Sequence, residues 1–185
     1  MPGPVAARGT DVSLRLTRTD DASFIQRAGC NPAVKYPLGG RPRSIEALAA
    51  EIKDSDADRY LVCLENATDD GPEPEGATPI GAVTIEDAGW KRPELTYWIL
   101  PEAQGEGYGG EGVGLAVDLA FRDYEAPAVG AACYAFNDAS RGVLESLGFE
   151  QEGRRHDYMF VDGAWRDYIV FGLRRRDWEP RATRH

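Results

Sequence analysis

Residues 104–110, Gln-Gly-Glu-Gly-Tyr-Gly-Gly, form a glycine-rich turn between two different hydrophobic rhythms. Before the turn, residues 96–100 (TYWIL) make a short apolar run with strand character. After it, residues 111–124 carry Val113, Ala116, Val117, Ala120, Phe121 and Tyr124 at helical i, i+3, i+4, i+7 spacing. A strand–turn–helix unit of this kind leaves several backbone N–H groups unpaired and pointing one way. With the positive end of the helix dipole they form an anion site suited to a pyrophosphate. Glycine matters because the ligand must approach the main chain without meeting a Cβ. A plain glycine-rich turn is the competing reading.

The spacing narrows the ligand. No Lys-Ser or Lys-Thr follows the glycines, so the Walker pattern is absent. Gly107-x-Gly109-x-x-Gly112 fits a dinucleotide fingerprint loosely. That fingerprint belongs after a fold's first strand, whereas this turn lies past mid-chain. Gln104, Gly107 and Gly109 fit Q/R-x-x-G-x-G/A better. This resembles the coenzyme A pyrophosphate loop of the GNAT N-acetyltransferases.

A second motif lies downstream. Residues 137–153 read NDASRGVLESLGFEQEG, similar to the N-x-x-S-x-x-V-x-E-x-L-G-F-x-x-E-G signature of the RimJ/RimL-like branch of that superfamily. The matching positions are Asn137, Ser140, Val143, Glu145, Leu147, Gly148, Phe149, Glu152 and Gly153. The branch acetylates protein N-termini and other amines. With 13–17 and 20–22 resembling its first strand and helix, and 163–167 and 177–178 its close, the likeness covers residues 12–178. It implies an α/β GNAT fold: a mixed, mostly antiparallel central sheet of about six to seven strands, flanking helices and a splayed strand pair that binds coenzyme A. The expected organisation is a flexible tail at 1–11, one domain at 12–178 and a C-terminal tail at 179–185.

Composition enters through charge. The chain has a net charge of −10, with three lysines (Lys35, Lys53, Lys91) against 31 acids. Such a surface argues against general nucleic-acid or anionic-membrane partners. The balance resembles proteins of salt-loving cells; an ordinary acidic enzyme is the alternative. Glu102, Glu106 and Glu111 flank the glycine turn, and Glu106 stands where the branch usually has a basic residue. No apolar run approaches the ~18–20 residues of a membrane span, and residues 1–10 lack a signal-peptide core. Cys30, Cys63 and Cys133 show no metal-ligand spacing and read as free thiols, so the expected compartment is the cytoplasm. The sequon at Asn66-Ala67-Thr68 reads as chance.

Along the chain, strands are expected at 12–17, 59–65, 79–87, 93–100, 128–136, 149–161 and 165–173. Helices are expected from Asp20 or Asp21 to 28, from Ser44 to 54 with Ile45, Leu48, Ala49 and Ile52 on one face, over 111–124, and from Asn137 or Asp138 to 147. Residues 30–43 read as irregular and 66–78 as an exposed hairpin loop, while Asp162-Gly163 signals a tight hairpin. Gly112 and Gly114 each cost up to about 1 kcal/mol against alanine inside a helix, which close packing on the sheet would justify.

The resemblance implies direct acetyl transfer from acetyl-CoA to an amine. The pantetheine arm would pair with strand backbone at Ile99 and Leu100. Gln104, Gly105, Glu106, Gly107, Tyr108, Gly109 and Gly110 would wrap the pyrophosphate, and Asn137 would contact pantetheine. A backbone N–H near Ile99 would hold the developing oxyanion. Many relatives use a tyrosine after the Asn137 position as proton donor to the leaving thiolate; this chain has Leu144 in that region, and Ser140 matches the branch's serine. Local capping is the alternative role for Ser140. Glu94 is the first candidate for the base that neutralises the amine, with Asp157, His156 and Tyr158 behind it. The acceptor is a protein N-terminus or a small amine such as a polyamine, amino acid or antibiotic. A non-catalytic acyl-CoA sensor is the reading from another class. No metal is implied, and relatives suggest a monomer or homodimer.

Overall fold

Alternating apolar positions build the sheet that organises the molecule. The computed structural model describes residues 2–64, 76–86, 89 and 91–180. In chain order these form β1 (Val5–Arg8), β2 (Val12–Leu16), α1 (Ala22–Cys30), α2 (Pro32–Leu38), α3 (Ile45–Asp54), β3 (Asp58–Leu64), β4 (Thr78–Glu86), β5 (Glu94–Ile99), α4 (Tyr108–Asp123), β6 (Ala128–Tyr134), α5 (Asp138–Ser146), β7 (Glu150–Val161) and β8 (Ala164–Arg174). The sheet order is β1-β2-β3-β4-β5-β6-β8-β7. Neighbours are antiparallel except β5 and β6. Parallel neighbours need a crossover, and α4 supplies it.

The helix pattern after the glycine turn is fulfilled: Val113, Ala116, Val117, Ala120 and Phe121 are all buried in the core. Each fully buried Val- or Phe-sized side chain contributes about 1.5–3 kcal/mol relative to exposure. The helix begins at Tyr108, three residues before the expected start. At Gly112 a Cβ would lie 3.2 Å from Val62, so the glycine permits the helix to ride close on β3. Alternation places Tyr97 and Ile99 of β5, and Cys133 of β6, on the face covered by α4 and α5. Glu94, Thr96 and Trp98 take the opposite face, where the Trp98 ring meets Phe24 of α1 at 5.6 Å.

Three differences from the sequence reading have physical causes. Residues 5–8, expected in a loose tail, pair antiparallel with β2 and make the sheet eight-stranded rather than six or seven. Residues 30–43, expected to be irregular, contain α2: Asn31 caps it by accepting from the Ala33 amide, Pro32 opens it, and Gly39 closes it at φ 67°. The helix expected from Ser44 to 54 forms as α3; it packs against α1, and none of its residues is fully buried. Asp21 does not cap α1 through its side chain; its carboxylate accepts from the Arg18 amide at 2.8 Å. The hairpin turn at Asp162-Gly163 is as expected, both residues having positive φ. The loop expected at 66–78 falls largely outside the described residues, as do the Asn66 sequon and residues 181–185. Cys63 and Cys133 are buried free thiols and Cys30 is an exposed one. Among the described residues, no helix is long and apolar enough to cross a membrane.

Candidate active site

β5 and β6 pair only at Glu94 with Gly130 and Leu95 with Ala131. Beyond that point the two parallel strands diverge and open the sheet. A cavity of about 1500 Å³ occupies the opening and takes in groups from both faces. Tyr97, Ile99, Cys133 and Ser140 line it on the α4–α5 side, and Glu94, Thr96, Tyr134 and Tyr168 on the other.

The register with β4 decides which backbone groups of β5 face the opening. The Leu100 N–H donates to the Ile80 carbonyl at 2.7 Å. In an antiparallel pair, hydrogen-bonded positions alternate along the strand. Leu100, Trp98 and Thr96 therefore bond toward β4, while Tyr97 and Ile99 turn their groups to the gap. Of the expected Ile99–Leu100 pair, Ile99 faces the opening, while the Leu100 N–H is bonded to β4. Gln104 lines the cavity at the head of the turn, and its Nε2 donates to the Ile99 carbonyl at 2.9 Å, tethering the turn to the strand.

The turn itself presents amides. Gly105 and Gly107 adopt φ of 89° and 88°, and Gly107 is the N-cap of α4. The first N–H groups of a helix have no intrahelical partner, so those of Tyr108, Gly109 and Gly110 join those of the turn as donors. Gly105, Glu106, Gly107, Gly109 and Gly110 line the cavity. The Tyr108 side chain instead packs against the core, leaving only its amide to a ligand. Glu111 is tied down: its carboxylate accepts from the Thr10 and Asp11 amides of the β1–β2 turn. Glu102 and Glu106 are exposed.

Ser140 sits in the first turn of α5. Its amide donates to Asn137 Oδ1 at 3.1 Å, so Asn137 is an N-cap whose side-chain N–H₂ remains available to a ligand. The Ser140 hydroxyl lies 2.7 Å from the Tyr97 hydroxyl, which is also 3.1 Å from the Ser140 carbonyl. Burial pushes the Tyr97 phenol well above its ordinary value, with the Ser140 contact pulling weakly the other way. Burial likewise raises the Cys133 thiol, against a hydrogen bond from Ser140. Tyr97 is a member of this cluster that the sequence did not single out.

On the other face, Glu94 lies over Gly130, where a Cβ would come within 2.3 Å of its carboxylate. Arg92 reaches Glu94 at 3.4 Å and Glu152 at 2.7 Å. Tyr134, Tyr158 and Tyr168 pack ring to ring at 5.2 Å along this wall. Burial first, then its tyrosine neighbours, push the Tyr168 phenol up to about 12. Tyr158 reaches the wall because β7 bulges between Arg155 and Met159. Asp167 pins that bulge, accepting from the Asp157 amide, Arg154 and His156. The same bonds hold the Asp167 carboxyl down at about 2. His156 is largely exposed and bound to Asp167, and Asp157 turns outward at φ 46°. Val34, Pro37 and Leu38 of α2 join Arg155 and Tyr158 in lining the cavity. Among the described residues no cluster of His, Cys, Asp or Glu could hold a metal.

Comparison with known proteins bears on this arrangement. The family model described as "Acetyltransferase (GNAT) domain" matches residues 11–150. A Bacillus subtilis protein named putative ribosomal N-acetyltransferase YdaF is 32% identical over 89 residues, 48% of this chain and 49% of that protein. The Escherichia coli ribosomal protein uS5-alanine N-acetyltransferase is 35% identical over 86 residues, 46% of this chain and 44% of that protein. The chain thus spans about half the length of the curated relatives it matches. The crystal structure of spermidine N-acetyltransferase from Vibrio cholerae, in complex with CoA and spermine, superposes with a TM-score of 0.77 at 20% identity. That likeness covers 91% of this chain and 98% of that one, and it speaks to the fold alone.

Proposed function

This chain belongs to the GNAT acetyltransferase family, and from that membership we propose that it moves an acetyl group from acetyl-CoA directly to a primary amine, with a protein N-terminus as acceptor. The observation that carries the proposal is the opening of one cavity onto three things at once: the amides of 105–110, the splayed edge of β5 and the Ser140 hydroxyl. These fit a long ligand with a polyanionic middle and an amide-bearing arm. The amides would grip the diphosphate, and the gap edge of Tyr97 and Ile99 would pair with the arm as an added strand does. When bound, acetyl-CoA supplies an activated thioester.

The chain's residues have three tasks. The Ile99 N–H faces the gap and would stabilise charge developing on the acetyl oxygen. Ser140 would donate a proton to the departing sulfur. Glu94, across the sheet opening, would accept the amine's excess proton directly or through water. The ribosomal-protein acetyltransferases among its relatives support a protein N-terminus. A small polyamine is the second reading, favoured by Glu86 and Glu94 on the cavity wall. Coenzyme A release measured against a panel of N-terminal peptides and polyamines tests both. Turnover with peptides is expected; turnover confined to polyamines reverses the acceptor, and binding without turnover on any amine leaves a sensor.

Salt gives a further expected result. With a net charge of −10 and exposed Glu102 and Glu106 beside the turn, the protein repels a polyanionic cofactor at low ionic strength. Screening shortens from roughly 30 Å at 0.01 M to about 3 Å at 1 M salt. Apparent acetyl-CoA affinity should therefore rise as KCl goes from low to molar concentration. A flat or falling profile in calorimetry of folded protein would refute this.

A further inference from the structure

The Ser140 hydroxyl meets a second hydroxyl from outside α5, that of Tyr97, and either of the two can be the donor. Tyr97 stands two positions past Leu95, the last β5 residue to pair with β6, so its ring lies beside the sheet opening. Its hydroxyl has one proton and two acceptors in reach, Ser140 Oγ at 2.7 Å and the Ser140 carbonyl at 3.1 Å. Two arrangements follow. If Tyr97 donates to the carbonyl, its oxygen accepts the Ser140 proton, which is then turned away from the cavity. If Tyr97 donates to Oγ, the Ser140 proton is free to point into the cavity. The buried Cys133 thiol faces the same hydroxyl and competes for its proton. The charged groups acting on that thiol are Arg141 and Glu145 of α5.

We propose that Tyr97 is a positioning residue: by donating to Ser140 Oγ it aims the serine's proton at the sulfur of the bound thioester. This rests on the transferase reading above. As the carbon–nitrogen bond forms and the carbon–sulfur bond breaks, Ser140 gives its proton to sulfur. Its oxygen is held meanwhile by the Tyr97 O–H, and Ser140 regains a proton from the second one the nitrogen sheds after bond formation, the amine's first, excess proton having gone to Glu94. Tyr97 itself stays protonated, because its buried ring disfavours the phenolate.

The test needs no acceptor. Coenzyme A is bound to the wild type, Tyr97→Phe, Ser140→Ala and the double variant, and the ultraviolet absorbance of its thiolate is titrated against cofactor-free protein. A hydroxyl aimed at sulfur stabilises the thiolate, so the bound thiol should be about tenfold more acidic in the wild type than in Tyr97→Phe, the effect of one well-placed hydrogen bond. Tyr97→Phe, Ser140→Ala and the double variant should coincide, since groups acting as one unit are not additive. Coenzyme A affinity should change less than threefold. Equal thiol acidity in wild type and Tyr97→Phe overturns the proposal, as do independent, additive losses. A fluorinated tyrosine at 97 keeps the shape and strengthens the donor; it should make the thiol more acidic still, and no change there counts against the proposal even if Tyr97→Phe folds poorly. Failure of the wild type to bind coenzyme A overturns the transferase reading and this inference together.

Discussion

Gly107→Val should weaken acetyl-CoA binding at least a hundredfold while leaving the protein folded. Gly107 caps α4 at φ 88° and ψ −10°. A β-branched residue is rarely found there, and holding it costs on the order of 1–3 kcal/mol. A Cβ at this position meets no protein atom within 4 Å, so no clash opposes folding. The strain is relieved by rotating the peptide units of the turn, which turns the amides of 105–110 away from a common point. The new side chain also stands where the ligand must approach. Each hydrogen bond to a charged group contributes about 1.5–3 kcal/mol, so losing two accounts for the hundredfold. Gly107→Asn is the control, because asparagine tolerates this conformation far better; it should bind much closer to wild type. Calorimetry beside a thermal melt makes the measurement. Valine binding within fivefold of wild type would mean that the turn's conformation does not hold the diphosphate.

Much of this architecture could be read from local sequence, and what could not depended on register. The turn at 104–110, the helix behind it, α5 with its Asn137 cap and the β7–β8 hairpin each carry their own signals within a few residues. α2 carried signals too, an Asn-Pro start and a glycine stop, but Pro37 inside it suggests a broken segment. β1 has little apolar pattern, since an edge strand is held by main-chain bonds to its one neighbour. The family resemblance places Leu100 at the opening by its position in the strand before the glycine turn. Only the pairing with β4 shows that its amide points the other way. Tyr97 and Ser140 are 43 residues apart, and no spacing rule joins them. Their contact exists because β5 parts from β6 and α5 fills the space beside the gap. In sequence, His156, Asp157 and Tyr158 stand side by side as candidates for the base, whereas Asp167 from the next strand folds this stretch into the bulge that presents Tyr158. Sequence pattern identifies elements well; which side of an element does chemistry is a property of its neighbours.

Ser140→Ala should lower turnover about a hundredfold, the lower end of what a positioned proton donor contributes, and change acetyl-CoA affinity less than threefold. The substitution is unusually clean here. The amide of residue 140, not its hydroxyl, meets the Asn137 cap, so α5 keeps its first turn when the hydroxyl is gone. The Tyr97 phenol loses one acceptor and retains the Ser140 main-chain carbonyl at 3.1 Å, so no buried donor is stranded. What disappears is a proton near the sulfur at the moment the thiolate leaves, an interaction made in the transition state and absent from the ground state. Such a loss lowers kcat and kcat/KM together. If affinity for acetyl-CoA fell as far as turnover, the hydroxyl would be a binding contact and the departing thiolate would have to take its proton from solvent. If neither changed, Ser140 would be a capping residue whose side chain happens to face the cavity. The three outcomes separate on one pair of measurements, steady-state kinetics with the accepted amine and calorimetry with acetyl-CoA.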